Sequence, residues 1–155
     1  MYSLFWNVGL KGGINMYKFI FSFKHSIGAC FNLITSINKD GIVEYEYSYC
    51  PRYLLDLYLS PEHVKDTLNK DLSKQFIEYI ELAKIDEMDE DYIRLEQVLD
   101  NAPDCNLALI KDTDSFYVSV EADSYPETFK YIVKALDLIN EEFTYWYKYQ
   151  EKELS

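Results

Sequence analysis

The sequence predicts an α+β fold, a two-layer domain in which an antiparallel sheet of about five strands packs against two or three helices. Three observations lead to this prediction. Apolar and polar residues alternate with a period of two near the start of the chain, and apolar residues recur about every four positions in the middle. A final amphipathic stretch follows two further short apolar segments. The predicted element order is βββααββα.

Three strands are predicted before residue 50. Aromatic residues occupy alternate positions from Tyr17 to Lys24, and a second strand follows at about 31–37. The Asn-Lys-Asp-Gly segment at 38–41 contains residue types that tolerate positive φ, so it predicts a hairpin turn. Tyrosines alternate with glutamates in the third strand, at 43–49, so one face of the sheet is expected to be wet.

Two helices are predicted in the middle of the chain. Ser60, Pro61 and Glu62 form the pattern of an N-cap followed by proline at the first helical position. Apolar residues at a spacing of four extend this first helix to about residue 84; they are Val64, Leu68, Leu72, Phe76 and Ile80. A shorter helix is predicted from about Asp89 to just before Pro103.

A second hairpin and a long helix are predicted to complete the fold. Residues 107–110 and 116–120 are apolar and β-branched, and they flank a polar turn. Ser124 and Glu127 are spaced as a capping box. The stripe that follows predicts one long helix; it consists of Phe129, Ile132, Val133, Leu136, Ile139, Phe143, Trp146 and Tyr147.

The chain is expected to form one α+β domain at 16–155, with a loosely attached N-terminal extension at 1–15. A length of 155 residues and a hydrophobic content of 48% suit a single core. Because no apolar run approaches about twenty residues, no membrane association is expected. The three cysteines, Cys30, Cys50 and Cys105, lack metal-ligand spacing and indicate a reducing, cytoplasmic compartment.

The charge of the chain is strongly asymmetric. The net charge is −12, yet residues 1–39 contain no acidic residue, so all 27 acids lie after them. Residues 86–104 contain eight acidic residues and a single basic residue, Arg94. Such a surface repels nucleic-acid phosphates, so direct nucleic-acid binding is not expected and a protein with a basic surface is the expected partner. Asp89, Glu90 and Asp91 are predicted to contact it.

Aromatic residues are concentrated near the C-terminus. Residues 143–149 contain five aromatics in seven positions, which would surround a helix almost completely. One face is expected to pack on the sheet. Tyr145, Trp146 and Tyr149 are predicted to contribute to a contact surface, which is covered within the chain, by a second copy in a homodimer, or by another protein.

No residue pattern points to a particular chemistry. The sequence lacks the glycine-rich phosphate-binding motifs, HExxH, GxSxG and CxxC. An enzyme, a metal site and a cofactor are therefore not expected. A carboxylate site, or a nucleophilic role for Cys105 with a distant histidine, is kept as an alternative.

The small size, low isoelectric point and order of elements over about residues 17–150 resemble the type III secretion chaperone-like superfamily. This resemblance implies an acidic α+β protein that binds another polypeptide, often as a dimer. The chain departs from it at the N-terminus, where the superfamily usually has a helix, and in placing two helices between the strand groups. No functional residue is carried over from the superfamily.

Non-catalytic binding of another polypeptide is the expected function, in a chaperone-like role or as an immunity-type protein that neutralises a toxin. The first alternative is a phage-encoded inhibitor that occupies the basic nucleic-acid-binding groove of a defence protein. The second is an enzyme with a carboxylate or cysteine site.

Overall fold

A computed structural model of the chain describes residues 17–24, 30–50, 62–92, 104–121 and 125–141. The strands are β1 (Tyr17–Lys24), β2 (Cys30–Ile37), β3 (Val43–Cys50), β4 (Glu62–Thr67), β5 (Asp91–Tyr92), β6 (Asp104–Lys111) and β7 (Asp114–Glu121). The helices are α1 (Lys70–Ala83) and α2 (Phe129–Ile139), and a 3₁₀ turn spans Ile85–Glu87. These strands form one sheet in the order β4-β3-β2-β1-β6-β7-β5.

The predicted α+β class and the antiparallel sheet are confirmed, although the number of strands is larger than predicted. Six of the strands pair antiparallel with their neighbours, and the two-residue β5 pairs parallel with β7. The helices contact each other and cover one face of the sheet. The hydroxyl of Thr128, just before α2, donates to the carbonyl oxygen of Ala83 at the end of α1, at 2.6 Å.

The core lies between the helices and the face that alternate strand residues present to them. In β1, Phe19 and Phe21 are fully buried, whereas Lys18 and Ile20 on the other face are only partly buried. The same alternation buries residues of β2, β6 and β7. The fully or almost fully buried side chains that α1 and α2 add to this core include Phe76, Ile80, Phe129, Ile132 and Leu136.

The turn between β2 and β3 forms as predicted. Asn38 organises it, because its side-chain oxygen accepts from the N–H groups of Asp40 at 2.9 Å and Ile42 at 3.1 Å. Gly41 has φ of 77°, a conformation that glycine adopts at little steric cost. Its N–H donates to the carbonyl oxygen of Asn38 at 2.9 Å, which closes the turn.

The prediction that a helix begins near Ser60 is wrong for residues 62–67, which form β4. Val64 pairs with Tyr47 and packs against the core, while its neighbours in β4 are exposed. The helix starts at Lys70 instead, with Asn69 as its N-cap. The Asn69 side chain accepts from the N–H of Leu72 at 2.8 Å and satisfies one free donor of the first turn.

Two other helix predictions also need correction. The segment that begins at Asp89 enters a strand, because Asp91 and Tyr92 pair with β7; the remainder of that predicted helix, 93–103, lies outside the described residues. The last helix ends at Ile139, since Asn140 is extended with φ of −163° and ψ of 118°. One unbroken helix to residue 149 is therefore excluded, and residues 142–155 lie outside the described ranges.

Within the described ranges, no helix combines the length and the apolar composition that crossing a membrane requires. The predicted extension at 1–15 lies outside them.

Candidate functional site

The acidic residues predicted to bind a partner follow α1 and lie beside the β7 side of the sheet. α1 ends at Lys84, which adopts a left-handed conformation with φ of 53°, and its N–H donates to the carbonyl oxygen of Glu81 at 3.2 Å. The chain then makes the 3₁₀ turn. We refer to residues 86–90 as the acidic segment; its exposed carboxylates are those of Asp86, Glu87, Asp89 and Glu90.

Two contacts fix the acidic segment against the sheet. Ile85, which immediately precedes it, is only 1% exposed and belongs to the core. At the other end, the carbonyl oxygen of Glu90 accepts from the N–H of Ser119 in β7 at 2.8 Å. The backbone of Asp91 then pairs with Ser119, whereas the Asp91 side chain lies outside the described part of the structure. The fold therefore holds a run of exposed carboxylates next to β7.

A cleft of about 520 Å³ lies between this segment and β7. One wall contains Ile85, Met88 and Glu90, and the other is formed by residues 115–119. Phe116 and Val118 face the core side of the sheet, as do Ile85 and Met88. Tyr117 lies on the opposite face and is 64% exposed. The cleft thus has an apolar side and a polar, aromatic side.

The hydrogen-bond alternation of the sheet directs backbone groups into this cleft. Lys111 and Asp114 close the β6–β7 hairpin around a two-residue turn, so Asp114 and every second residue after it bond to β6. The intervening residues Ser115, Tyr117 and Ser119 direct their N–H and C=O groups outward. Ser119 uses its N–H for Glu90, but no described residue pairs with the outward groups of Ser115 or Tyr117.

The electrostatic environment of this margin is negative. Residues 84–92 and 111–119 together hold seven acidic and two basic residues, a balance of −5. Burial raises the pKa of the Tyr17 phenol, and the carboxylates of Glu81 and Asp86 raise it further. Burial also raises the pKa of the Glu81 carboxyl, and Glu78 adds to this effect while Lys111 opposes it. A cationic group approaching this margin gains favourable electrostatic energy.

The raised pKa of Glu81 leads to a prediction about stability. A carboxyl that binds its proton more tightly in the folded state makes the protein less stable as the pH rises through that folded-state pKa. Glu81→Gln is therefore expected to increase the free energy of unfolding at pH 7, by less than about 1 kcal/mol because solvent screens this exposed side chain. The difference should shrink as the pH falls below about 4.3, the ordinary pKa of an unfolded glutamate, and vanish once Glu81 is protonated in both states. Urea titrations at several pH values measure it; a destabilised variant at pH 7 would contradict it.

The structure brings together only part of the predicted contact surface. Asp89, Glu90 and the backbone of Asp91 lie at the β7 margin, whereas Tyr145, Trp146 and Tyr149 lie outside the described residues. Sequence reasoning missed Met88 and Tyr117 as parts of the site. Tyr117 lies between Phe116 and Val118 in a predicted strand, so its alternate position was the available indication of exposure.

The structure also places Cys105, one of the two histidines and the polar turn of the second hairpin. Cys105 is 1% exposed within the core, and His63 is exposed in β4 rather than in a helix. The polar turn at 112–113 is an ordinary hairpin connection in which Asp112 has φ of 54°. Across the part of the chain that the structure describes, no three His, Cys, Asp or Glu residues are grouped as metal ligands.

Comparison with known proteins gives no family for this chain. No protein-family model matches the sequence, and no curated protein matches it significantly. The likeness to the type III secretion chaperone-like superfamily therefore stays a prediction.

Proposed function

We propose that this domain binds another polypeptide through a basic surface of that partner, and that it catalyses no reaction. The observation that carries the proposal is the position of the acidic segment, which is anchored by Ile85 and Glu90 at the margin of the sheet while its carboxylates remain exposed. Complementary charge accelerates the encounter of two proteins and selects against partners of like charge.

The cleft beside the acidic segment supports a protein as the partner. Its apolar side, with Met88 and Phe116, offers surface that a polypeptide side chain can cover, and Tyr117 adds an exposed aromatic ring. Aromatic residues and methionine are enriched in protein interfaces. This kind of surface is needed for each of the three binding roles considered: a chaperone-like role, toxin neutralisation, and inhibition of a protein with a basic nucleic-acid-binding groove. The identity of the bound protein distinguishes them.

The test is capture of the partner from the native host by two matched variants and the wild-type protein. The first variant, Asp89→Asn, Glu90→Gln and Asp91→Asn, removes three charges at the β7 margin. The second, Asp40→Asn, Glu46→Gln and Asp71→Asn, removes three charges from exposed residues elsewhere. Mass spectrometry should identify a protein that the wild type and the second variant retain and the first variant retains weakly.

Association kinetics of the purified pair provide the quantitative prediction. At low ionic strength the β7-margin variant should associate about 3- to 10-fold more slowly than the wild type, because electrostatic steering is lost. Its rate should also depend less on salt, whereas the second variant should behave like the wild type. Equal rates for all three proteins at every ionic strength would refute the proposal. A turnover that a single carboxylate or cysteine substitution abolishes would refute the absence of catalysis.

A further inference from the structure

The two margins of the sheet differ in how they present their backbone. The Leu68 N–H donates to the Val43 carbonyl oxygen at 2.9 Å, so every second residue before Leu68 directs its backbone groups toward β3. The backbone groups of the intervening residues point away from the sheet; these residues are His63, Lys65 and Thr67. The Thr67 N–H is already bonded to the carboxylate of Asp66 at 2.8 Å, and the Lys65 side chain is exposed. Such features discourage the addition of another strand.

The margin at β7 has a different character. β5 covers only Ser119 and Val120, so the preceding part of β7 is open within the described structure. The outward backbone groups there belong to Ser115 and Tyr117, which are neither acidic nor basic residues. They face the cleft of about 520 Å³, whose opposite wall contains Ile85, Met88 and Glu90. An extended chain placed in the cleft would lie between β7 and the acidic segment, which enters β5 from that side.

The two sides of the cleft select alternating side chains. In a strand added beside β7, successive side chains point to opposite faces of the sheet. One set would lie against Ile85, Met88 and Phe116 on the core side, where apolar residues fit. The other set would lie beside Tyr117 on the exposed face. The negative balance of this margin and the exposed ring of Tyr117 favour lysine or arginine at those positions.

We propose that the open part of β7 binds a short extended polypeptide segment by strand addition, and that apolar residues alternate with Lys or Arg in this segment. The inference rests on the proposed function and specifies the form in which the partner is bound. At about 3.3 Å per residue, residues 115–118 accommodate pairing over about four residues. The outward N–H and C=O groups of Ser115 and Tyr117 provide up to about four backbone hydrogen bonds.

A synthetic peptide tests the proposal directly. The probe is an acetylated and amidated heptapeptide of alternating lysine and valine that begins and ends with lysine, and a matched peptide replaces every lysine with glutamate. Fluorescence anisotropy of the labelled peptides measures affinity, and amide hydrogen exchange locates the contact. The lysine peptide should bind the wild type, and it should slow exchange at the outward amides of Ser115 and Tyr117. The glutamate peptide should not bind.

Two substitutions at one position separate backbone pairing from side-chain contact. Tyr117→Pro removes an N–H that points away from β6, so the β6–β7 hydrogen bonds are retained. It should weaken binding about 10-fold or more, since it removes one backbone bond and obstructs the pairing of its neighbour. Tyr117→Val keeps the N–H and removes the ring, and it should weaken binding by about 3-fold at most. Thermal melting of both variants checks that they fold. If the proline variant does not fold, the hydrogen-exchange experiment on the wild type decides whether the peptide pairs with the β7 backbone.

Several results would overturn strand addition. Equal binding by the wild type and a folded Tyr117→Pro variant would show that the peptide is held by charge alone, so the proposed function would stand without this inference. Slow exchange at Ser115 and Tyr117 in the free protein would show that another part of the chain occupies the edge. If that protection grows with protein concentration, a second copy occupies it. Failure of the lysine peptide to bind would also reject strand addition, while the capture and kinetic experiments decide the proposed function separately.

Discussion

Replacing Phe19 with alanine is expected to lower the free energy of unfolding by about 3–5 kcal/mol. Phe19 is fully buried at the centre of the sheet, and its ring packs against Phe21 and edge-on against Phe76 of α1, with the centroids 6.4 Å and 6.2 Å away. Removing the ring leaves a cavity between the sheet and the helix layer, which neighbouring side chains fill only in part. Equilibrium urea denaturation measures the loss.

A control on the same sheet separates core packing from the intrinsic preference for a strand. Ile34 lies in β2 on the face opposite the helices and is 51% exposed, so Ile34→Ala should change the unfolding free energy by no more than about 1 kcal/mol. Phe19→Leu should fall between the two, because it retains a branched apolar side chain. Equal losses of unfolding free energy in Phe19→Ala and Ile34→Ala would show that Phe19 does not lie at the centre of the core.

The first three strands could be predicted because one physical requirement determines them. Each strand has one face on the core and one less buried face, which imposes a period of two on its residues. Phe19 and Phe21 accordingly face the helices, and Glu44 and Glu46 face solvent. The turn at 38–41 was also predictable, since its residue types directly favour the observed conformation. These features depend only on neighbours in sequence.

β4 was not predictable in the same way. Val64 and Leu68 continue the spacing of four that also marks α1, and Pro61 suggests a helix start. What makes residues 62–67 a strand is the pairing of Val64 with Tyr47, a contact between residues distant in sequence. The Asn69 cap gives a local indication of the true start of the helix, but Ser60 offers an equivalent side chain earlier in the chain.

The end of α2 reflects another long-range contact. The apolar spacing continues beyond Ile139, so periodicity alone predicted a longer helix. Asn140 leaves the helix, and its side-chain N–H donates to the Tyr47 hydroxyl at 3.3 Å. That hydroxyl in turn donates to a carboxylate oxygen of Glu62 at 3.4 Å. The contact with β3 and β4 thus accompanies the end of the helix.

The candidate site was predictable in its charge but not in its shape. The acidic run was evident from the sequence, and Asp89 and Glu90 do lie at an exposed margin. The cleft depends on the parallel pairing of Asp91 with Ser119, because this pairing places the acidic segment along β7. A two-residue parallel strand has no periodicity to detect. The outward direction of the Tyr117 backbone also follows only from knowing which strands are neighbours.

The hydroxyl of Ser73 should contribute strongly to stability. The Ser73 side chain is fully buried and lies where β4 gives way to α1. The Ser73 hydroxyl accepts from the N–H of Val43 at 2.9 Å and donates to the carbonyl oxygen of Leu68 at 3.2 Å. Val43 and Leu68 are the next antiparallel pair after β4 ends, and the Leu68 N–H still donates to Val43. In a regular pair the Val43 N–H would donate to the Leu68 carbonyl oxygen, and here the Ser73 hydroxyl lies between these two groups and bonds to both.

Ser73→Ala is expected to lower the free energy of unfolding by about 2–4 kcal/mol. The substitution leaves a buried N–H and a buried C=O without the hydroxyl between them, and each unsatisfied group costs about 1–3 kcal/mol. Ser119→Ala is the matched control, since the Ser119 hydroxyl donates to Asn106 at an exposed position and its loss should cost less than about 1 kcal/mol. Hydrogen exchange separates loss of this hydrogen bond from general destabilisation. The Val43 amide of Ser73→Ala should lose more protection than the drop in global stability accounts for. An unchanged exchange rate at the Val43 amide would show that another group accepts its hydrogen bond and that the Ser73 hydroxyl is dispensable.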